Sequence, residues 1–555
     1  MWKVTAAPRP LAAPRSRTRH PHSPTPMPTP DSAEPTSSPA ARGAVACGHP
    51  VTRDAMMQVL NAGGNAFDAA AAGLWAACVA EPLLSSLGGG GFLLARPADE
   101  EARLYDFFAQ TPRRRTPSDA LDFREIMVDF GTARQPFHIG LGAAATPGTV
   151  AGLFGFHSDL GRLSMDEVAS PALAAARDGV EVTSMQAYLA RVLTPILDDT
   201  PEARATFVPG DTGMSEQTVH TQPELAEFIE ALIRHGPDLF YRGEMADAVD
   251  EACRHGGGHL RRKDFEAYRV LRRRPLKVEY EGRRILTNPP PASGGLLVAF
   301  GLRVLAAMAP GPDPYGPGEA RRLALALAAI RDVRAGEDLE EDVDLEKAAR
   351  VLSPETVERY RAQVASHPPS YRGTTHLSVI DGDGNAASLS VSNGEGCGWM
   401  IPNTGVMLNN VLGESDLQPR GFGRWPLDTR LTSMMAPTLV ENREQNHLLA
   451  LGSGGSKRIR SAILQVLAGV LDLGLTLEAA VARPRLHLEG SRLEIEGGFS
   501  EEVIGALGRR WPDPGVWAEQ NLFFGGVHAA ERRGREFGGA GDPRRGGVAG
   551  VIAGH

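Results

Sequence analysis

The sequence predicts a large mixed fold of α-helices and β-strands, and three observations point to it. With 555 residues, 42% hydrophobic and 23% charged, the chain has ordinary globular composition and enough length for a large buried core. From Gly43 onward, helical and strand periodicities alternate along the chain. Two strand-like runs, TTHLSVID (374–381) and AASLSVSN (386–393), flank a GDGN turn whose Asp-Gly and Gly-Asn pairs suit positive φ, so they form a hairpin.

In order along the chain, residues 1–42 are dominated by Pro, Ala, Ser, Thr and Arg, a composition that cannot bury enough apolar surface to offset its ordering entropy. A disordered, dispensable tail is expected, with Met27 as an alternative start. An Ala-rich helical segment follows at 54–60 and 65–80, and the glycines at 88–91 lead into FLLA, a strand. Residues 224–235, 244–255 and 321–333 have helical periodicity, while 277–280 and 284–287 read as strands before the turn at Pro289 to Pro291. A charged segment, 334–358, precedes SHPPSYRG (366–373), expected to be an exposed loop immediately before the hairpin. HLLALGSGGSKRIRSAILQVLAGVLDLG (447–474) reads as a strand, a glycine turn and a long helix. Backbone N–H groups at such a helix start suit an oxyanion or a carboxylate.

Composition excludes several function classes. A net charge of −9 offers no broad positive field for nucleic acid. The run Ala69 to Ala80, flanked by Asp68 and Glu81, is too short for a membrane span and reads as a buried helix. Cys47, Cys78, Cys253 and Cys397 lie far apart with no CxxC pair, so free thiols are expected. Cys397 has no basic sequence neighbour to activate it. The fifteen histidines contain no HExxH, so neither metal nor cofactor is expected. The first forty residues hold no apolar run of signal-peptide length, which favours a cytoplasmic location over export.

The hairpin start carries the chemistry. An N-terminal threonine supplies both an attacking hydroxyl and, through its freed α-amine, a base near the operating pH. In an uncut chain Thr374 is only a strand residue, and TTHLSV alone would be an ordinary β-branched strand. Ordered blocks across the chain say more: NAGGNAFDAAAA (61–72), AEPLLSSLGGGGF (80–92), ATPGTVAGL (145–153), FYRGEMA from Phe240, NPPPASGG (288–295), GTTHLSVIDGDGNAASLS (373–390), NTGVMLNN (403–410), MMAPTLV from Met434 and GSGGSKRI (452–459). Together they resemble the gamma-glutamyltransferase family.

The resemblance implies an α+β fold, the four-layer αββα sandwich of N-terminal nucleophile hydrolases. It implies a cut between Gly373 and Thr374, leaving residues 43–373 and 374–555 as a heterodimer with one shared core. Thr374 would then be the nucleophile, and Ser392, where the family usually has threonine, would support it through the same kind of hydrogen bond. Gly454 and Gly455 would form the oxyanion hole, with Gly455 and Ser456 as the ungapped alternative. Glu414 would bind the substrate's α-ammonium group and Ser433 would assist its α-carboxylate.

Departures from the pattern bear on the donor. In YDFFAQTP (105–112), Phe108 stands where the family's carboxylate-clamping arginine is expected, and a phenyl ring cannot replace a bidentate guanidinium. Met434 replaces a second serine, Val411 and Gly394 replace polar groups, and the segment between Glu414 and Ser433 is short. A more apolar and open pocket is expected, with Arg113, Arg114 and Arg115 either supplying a substitute cation or forming solvated surface. The leading expectation is hydrolysis of gamma-glutamyl amides, with possible transfer to an amino acid or peptide. The alternatives are an acylase of the cephalosporin or glutaryl type and a non-catalytic binding scaffold.

Overall fold

The computed structural model describes residues 43–129, 134–210, 213–339, 343–360, 373–418 and 420–552. The expected tail at 1–42 and all but the last residue of SHPPSYRG lie outside the described residues.

In chain order the elements that build the core are β1 (Gly43–Cys47), α1 (Pro50–Asn61), α2 (Ala66–Ala80), β2 (Gly90–Arg96), β3 (Arg103–Phe107), β4 (Leu271–Arg273), β5 (Leu276–Tyr280), β6 (Arg283–Thr287), α3 (Gly294–Ala306) and α4 (Pro317–Gly336). Beyond residue 373 come β7 (Thr375–Asp381), β8 (Ala386–Ser392), β9 (Thr438–Asn442), β10 (His447–Gly454), α5 (Arg458–Leu471), β11 (Gly526–Arg533), β12 (Glu536–Ala540) and β13 (Val548–Ile552). They form a seven-stranded sheet of order β13-β1-β7-β8-β2-β3-β4 and a six-stranded sheet of order β12-β11-β10-β9-β6-β5. Every pairing in both sheets is antiparallel. The sheets face one another through β1, β7 and β8 against β10 and β11, with α1 and α2 on the outer face of the first and α3 and α5 on the second. This is the expected helix-sheet-sheet-helix arrangement.

Local sequence explains the central elements. Asn65 caps α2 through a reciprocal box with Asp68, and all fifteen residues of the helix are buried, as a run apolar on every face requires. Strands β7 and β8 are likewise buried throughout. On one face Leu377, Val379, Leu389 and Val391 join the core under α2. On the other, small polar side chains meet the second sheet. His376 shares hydrogen bonds with Ser390 and Ser378, Ser378 donates to the carbonyl of His528, and Ser388 to that of Leu451. The β7–β8 register pairs Thr375 with Val391, and Ser392 at the end of β8 lies opposite Gly90 of β2. Thr374 and Ser392 are thereby brought to one end of the first sheet.

The charged segment contributes two short helices, Leu345–Val351 and Pro354–Tyr360. Val351, Val357 and Tyr360 bury against the core, and tertiary packing supplies what the charge pattern hides. No helix among the described residues is long and apolar enough to cross a membrane. All four cysteines are buried and free, and burial pushes the Cys397 thiol up to about 12.

Candidate active site

The site is built around the peptide bond between Gly373 and Thr374. The Gly373 carbonyl oxygen accepts hydrogen bonds from the Thr374 hydroxyl at 2.7 Å and from the Ser392 hydroxyl at 2.8 Å. Ser392 Oγ accepts in turn from Gly394 N–H at 3.0 Å, which orients it. Gly373 N–H donates to Glu395 Oε1 at 3.1 Å, and Glu395 is tied to Asn410, whose Oδ1 accepts from Glu395 N–H at 2.9 Å. Both sides of the Gly373 peptide unit are thus held by side chains from the β8 end. The role of Glu395 had no signal in the sequence, because it depends on the turn that follows β8.

That turn explains Gly394. Its φ is +63°, and a β-carbon there would stand 2.0 Å from Asn410 Oδ1 and 2.9 Å from Glu414 Oε1. A side chain at this position would displace both groups. Glu414 is buried beside Gly394, two residues beyond Ser392, although its loop sequence alone reads as a solvated charge.

The Gly454–Gly455 turn closes the other side. Gly454 ends β10, and a β-carbon on it would lie 2.1 Å from the Thr374 carbonyl oxygen. Gly455 has φ +116° and Ser456 φ +50°, so the backbone reverses before α5 begins. Among the described residues, the N–H groups of Gly455 and Ser456 donate no hydrogen bond. Ser456 Oγ donates to Asp416 Oδ2 at 3.0 Å, and Lys457 pairs with Asp416 at 3.2 Å, anchoring the turn to residues just beyond Glu414.

Beside Thr375 sits Glu81, at the end of α2, another group without a sequence signal. It accepts from Thr375 Oγ1 at 2.8 Å and Thr52 Oγ1 at 3.4 Å. Burial outweighs these bonds and pushes its carboxyl up to about 7 from an ordinary 4.5. A carboxyl raised in the folded state contributes stability that is full below the unfolded value and is lost as pH rises through the folded one. Glu81→Gln is therefore expected to stabilise the protein by about 1–3 kcal/mol above about pH 8 and to have little effect near pH 4. Thermal unfolding at the two pH values checks this.

Position 108 carries no carboxylate-clamping arginine. The Phe108 ring is buried in the core, stacked 5.5 Å from Phe92. An arginine does reach this place, but from residue 430. Arg430 donates to the Phe108 carbonyl and the Tyr268 hydroxyl, donates to the Arg269 carbonyl at 2.6 Å, and lies 3.6 Å from Asp106. Its charge is absorbed by these partners. Arg113, Arg114 and Arg115 are exposed. Arg113 pairs with Asp428 at 3.0 Å, and Arg115 stacks over Trp425 at 4.8 Å. Arg113 and Arg115 thereby tie Asp428 and Trp425 to the body of the protein.

Ser433 is buried. Its hydroxyl accepts from Met435 N–H at 3.1 Å, and its carbonyl meets the N–H groups of Ser293 and Gly294 at the start of α3. A cleft of about 110 Å³ opens beside it, with Pro291, Leu417, Trp425 and Leu431 among its walls. Among the described residues no group of three His, Cys, Asp or Glu side chains could hold a metal ion.

Comparison with known proteins identifies the family. The family model for gamma-glutamyltranspeptidase matches residues 53–552. The chain is 29% identical over 504 residues to a glutathione hydrolase proenzyme of Escherichia coli (strain K12), covering 84% of this chain and 85% of that one. It is 31% identical over 486 residues to the acylase ACY 1 proenzyme of Pseudomonas sp. (strain SE83), covering 84% and 86%. The fold matches the crystal structure of cephalosporin acylase from Bacillus halodurans with a TM-score of 0.80 at 22% identity, covering 96% of this chain and 99% of that one. On the matched length and this likeness to both kinds of amide hydrolase, the chain belongs to the gamma-glutamyltranspeptidase family.

Proposed function

We propose that this protein is made as a precursor that cuts itself between Gly373 and Thr374 and then hydrolyses acyl amides through an ester on Thr374. The observation that carries this reading is the Gly373 carbonyl, which holds both the Thr374 and the Ser392 hydroxyls within 2.8 Å. Thr374 Oγ1 adds to the Gly373 carbonyl carbon, the C–N bond breaks as the amine takes a proton, and water cleaves the resulting ester. Gly373 is left with a carboxylate and Thr374 with a free amine, so the piece ending at Gly373 and residues 374–555 persist as a heterodimer.

In turnover, Thr374 Oγ1 attacks the substrate carbonyl, and its own amine accepts the hydroxyl proton and passes it to the leaving amine. Backbone N–H groups of the glycine turn stabilise the tetrahedral oxyanion, each worth roughly 10²–10³ in rate. Water or an amino acid or peptide amine then takes the acyl group. Intact mass and N-terminal sequencing of the purified protein test the first step by looking for a fragment beginning Thr-Thr-His-Leu. A folded chain that stays whole would leave only a binding scaffold.

For the donor, the buried Glu414 carboxylate beside Gly394 supports an acyl group bearing an ammonium, and gamma-glutamyl amides are the first reading. Phe108 favours a second, an acylase for a more apolar acyl group, because no free guanidinium stands at its place. Glu414→Gln separates them. For a gamma-glutamyl donor it is expected to raise KM about 10–100-fold for gamma-glutamyl-p-nitroanilide while leaving glutaryl-p-nitroanilide little changed. Equal effects on both substrates would favour the second reading.

A further inference from the structure

The C-terminal loop sets two adjacent arginines in opposite circumstances. Arg544 is fully matched, with Glu496 at 2.6 Å and Asp542 at 3.1 Å. Arg545 is 6% exposed and has no ion pair among the described residues. Its Nη2 makes one long hydrogen bond, 3.5 Å to the Leu522 carbonyl, and its Nε has no partner. Burying a guanidinium so incompletely satisfied is costly.

Its position shows what the charge faces. A β-carbon on Gly454 would lie 3.3 Å from Arg545 Nη1 and 2.1 Å from the Thr374 carbonyl oxygen, and one on Gly455 would lie 3.2 Å from Nη2. The side-chain stem runs along Gly526, where a β-carbon would meet Cδ at 2.5 Å. The guanidinium is therefore pressed against the backbone of the Gly454–Gly455 turn, near the Thr374 carbonyl. Burial lowers its proton affinity to about 10, which leaves it charged at neutral pH.

We propose that Arg545 is an electrostatic positioning residue of the reaction, a fixed cation behind the Gly454–Gly455 turn that favours both the neutral α-amine of Thr374 and the oxyanion forming at the turn. This rests on the self-cleavage reading above. Both effects have one sign: a nearby positive charge disfavours an ammonium and stabilises a negative oxygen. The other charged groups facing this region are Glu81 beside Thr375, Glu395 at Gly373, Asp416 and Lys457 at Ser456, and Asp542 and Arg485 behind Arg545. Glu81 and Asp542 act on the guanidinium through space and partly offset it.

The test uses the cut protein and p-nitrophenyl acetate, following p-nitrophenolate release and the mass of the fragment beginning at Thr374 as pH is varied. Arg545→Met and Arg545→Gln are expected to slow acylation about 10–100-fold at neutral pH and to move the midpoint of its rise upward by about one pH unit. Arg545→Lys, which keeps the charge, is expected to retain the wild-type midpoint. Folded neutral variants with an unshifted midpoint, whatever their rate, would overturn the proposal and assign Arg545 to packing. So would failure of both neutral variants to fold, or a cut wild type that is not acylated. A wild type that never cuts itself would instead defeat the self-cleavage reading.

Discussion

Thr374→Ala is expected to yield one uncut chain, with no fragment beginning at residue 374, and to lower amide turnover by about 10⁴-fold or more. The substitution removes the only hydroxyl that can attack the Gly373 carbonyl from the following residue. It also prevents formation of the free α-amine, so nucleophile and base are lost together. The fold has little reason to change, because Thr374 precedes β7 and its hydroxyl bonds only to the Gly373 carbonyl. Intact mass, turnover of an acyl p-nitroanilide and thermal unfolding should therefore separate cleanly, with the first two altered and the third unchanged. Thr374→Ser keeps the hydroxyl and should still cut. Cleavage by Thr374→Ala at the same bond would mean that another group, or another protein, makes the cut.

The largest expected loss of stability lies elsewhere. Asp542→Ala is expected to destabilise the protein by about 3–5 kcal/mol, read as a lower urea midpoint at unchanged slope. Asp542 is fully buried and accepts from the Arg485 guanidinium, from Arg544 Nη1 at 3.1 Å and from Val527 N–H at 2.8 Å. Removing it leaves buried guanidiniums facing one another. Burial alone would raise the Asp542 carboxyl, but Arg485 and Arg544 hold it below its ordinary value. A carboxyl depressed in the folded state contributes stability that is present above the unfolded value and lost as pH falls. The variant should thus differ most from wild type at neutral pH and converge with it in acid.

Much of the architecture was legible because it rests on local signals. The Ala-rich helix at 65–80, the hairpin turn between β7 and β8, and the glycine turn before α5 each follow from neighbouring residues, and the family resemblance ordered them into two sheets between helices. The site was legible only in part. Thr374, Ser392 and the glycine turn are brought together at one end of the sandwich, and Glu414 lies beside Gly394. Their roles as catalytic and binding groups await the experiments above. What the sequence did not suggest depends on distant contacts. Arg430 occupies the surroundings of Phe108 from more than three hundred residues away. Glu81 reaches Thr375 from the end of α2, and Glu395 holds Gly373 through a turn closed by Asn410. None of these has a periodicity or spacing to announce it.

The strand order of the first sheet has a consequence for the protein's history after synthesis. β1, from before residue 373, lies between β7 and β13, both from after it, while β8 is hydrogen-bonded to β2. The proposed cut would therefore leave two pieces interlaced within one sheet. Before such a cut, folding would be a one-chain process whose rate is indifferent to dilution. After it the halves would have to find one another again, without the high effective concentration supplied by the connecting chain. Once cut, the protein would persist because it opens slowly rather than because it readily re-forms, and its lifetime would be set largely by its first unfolding.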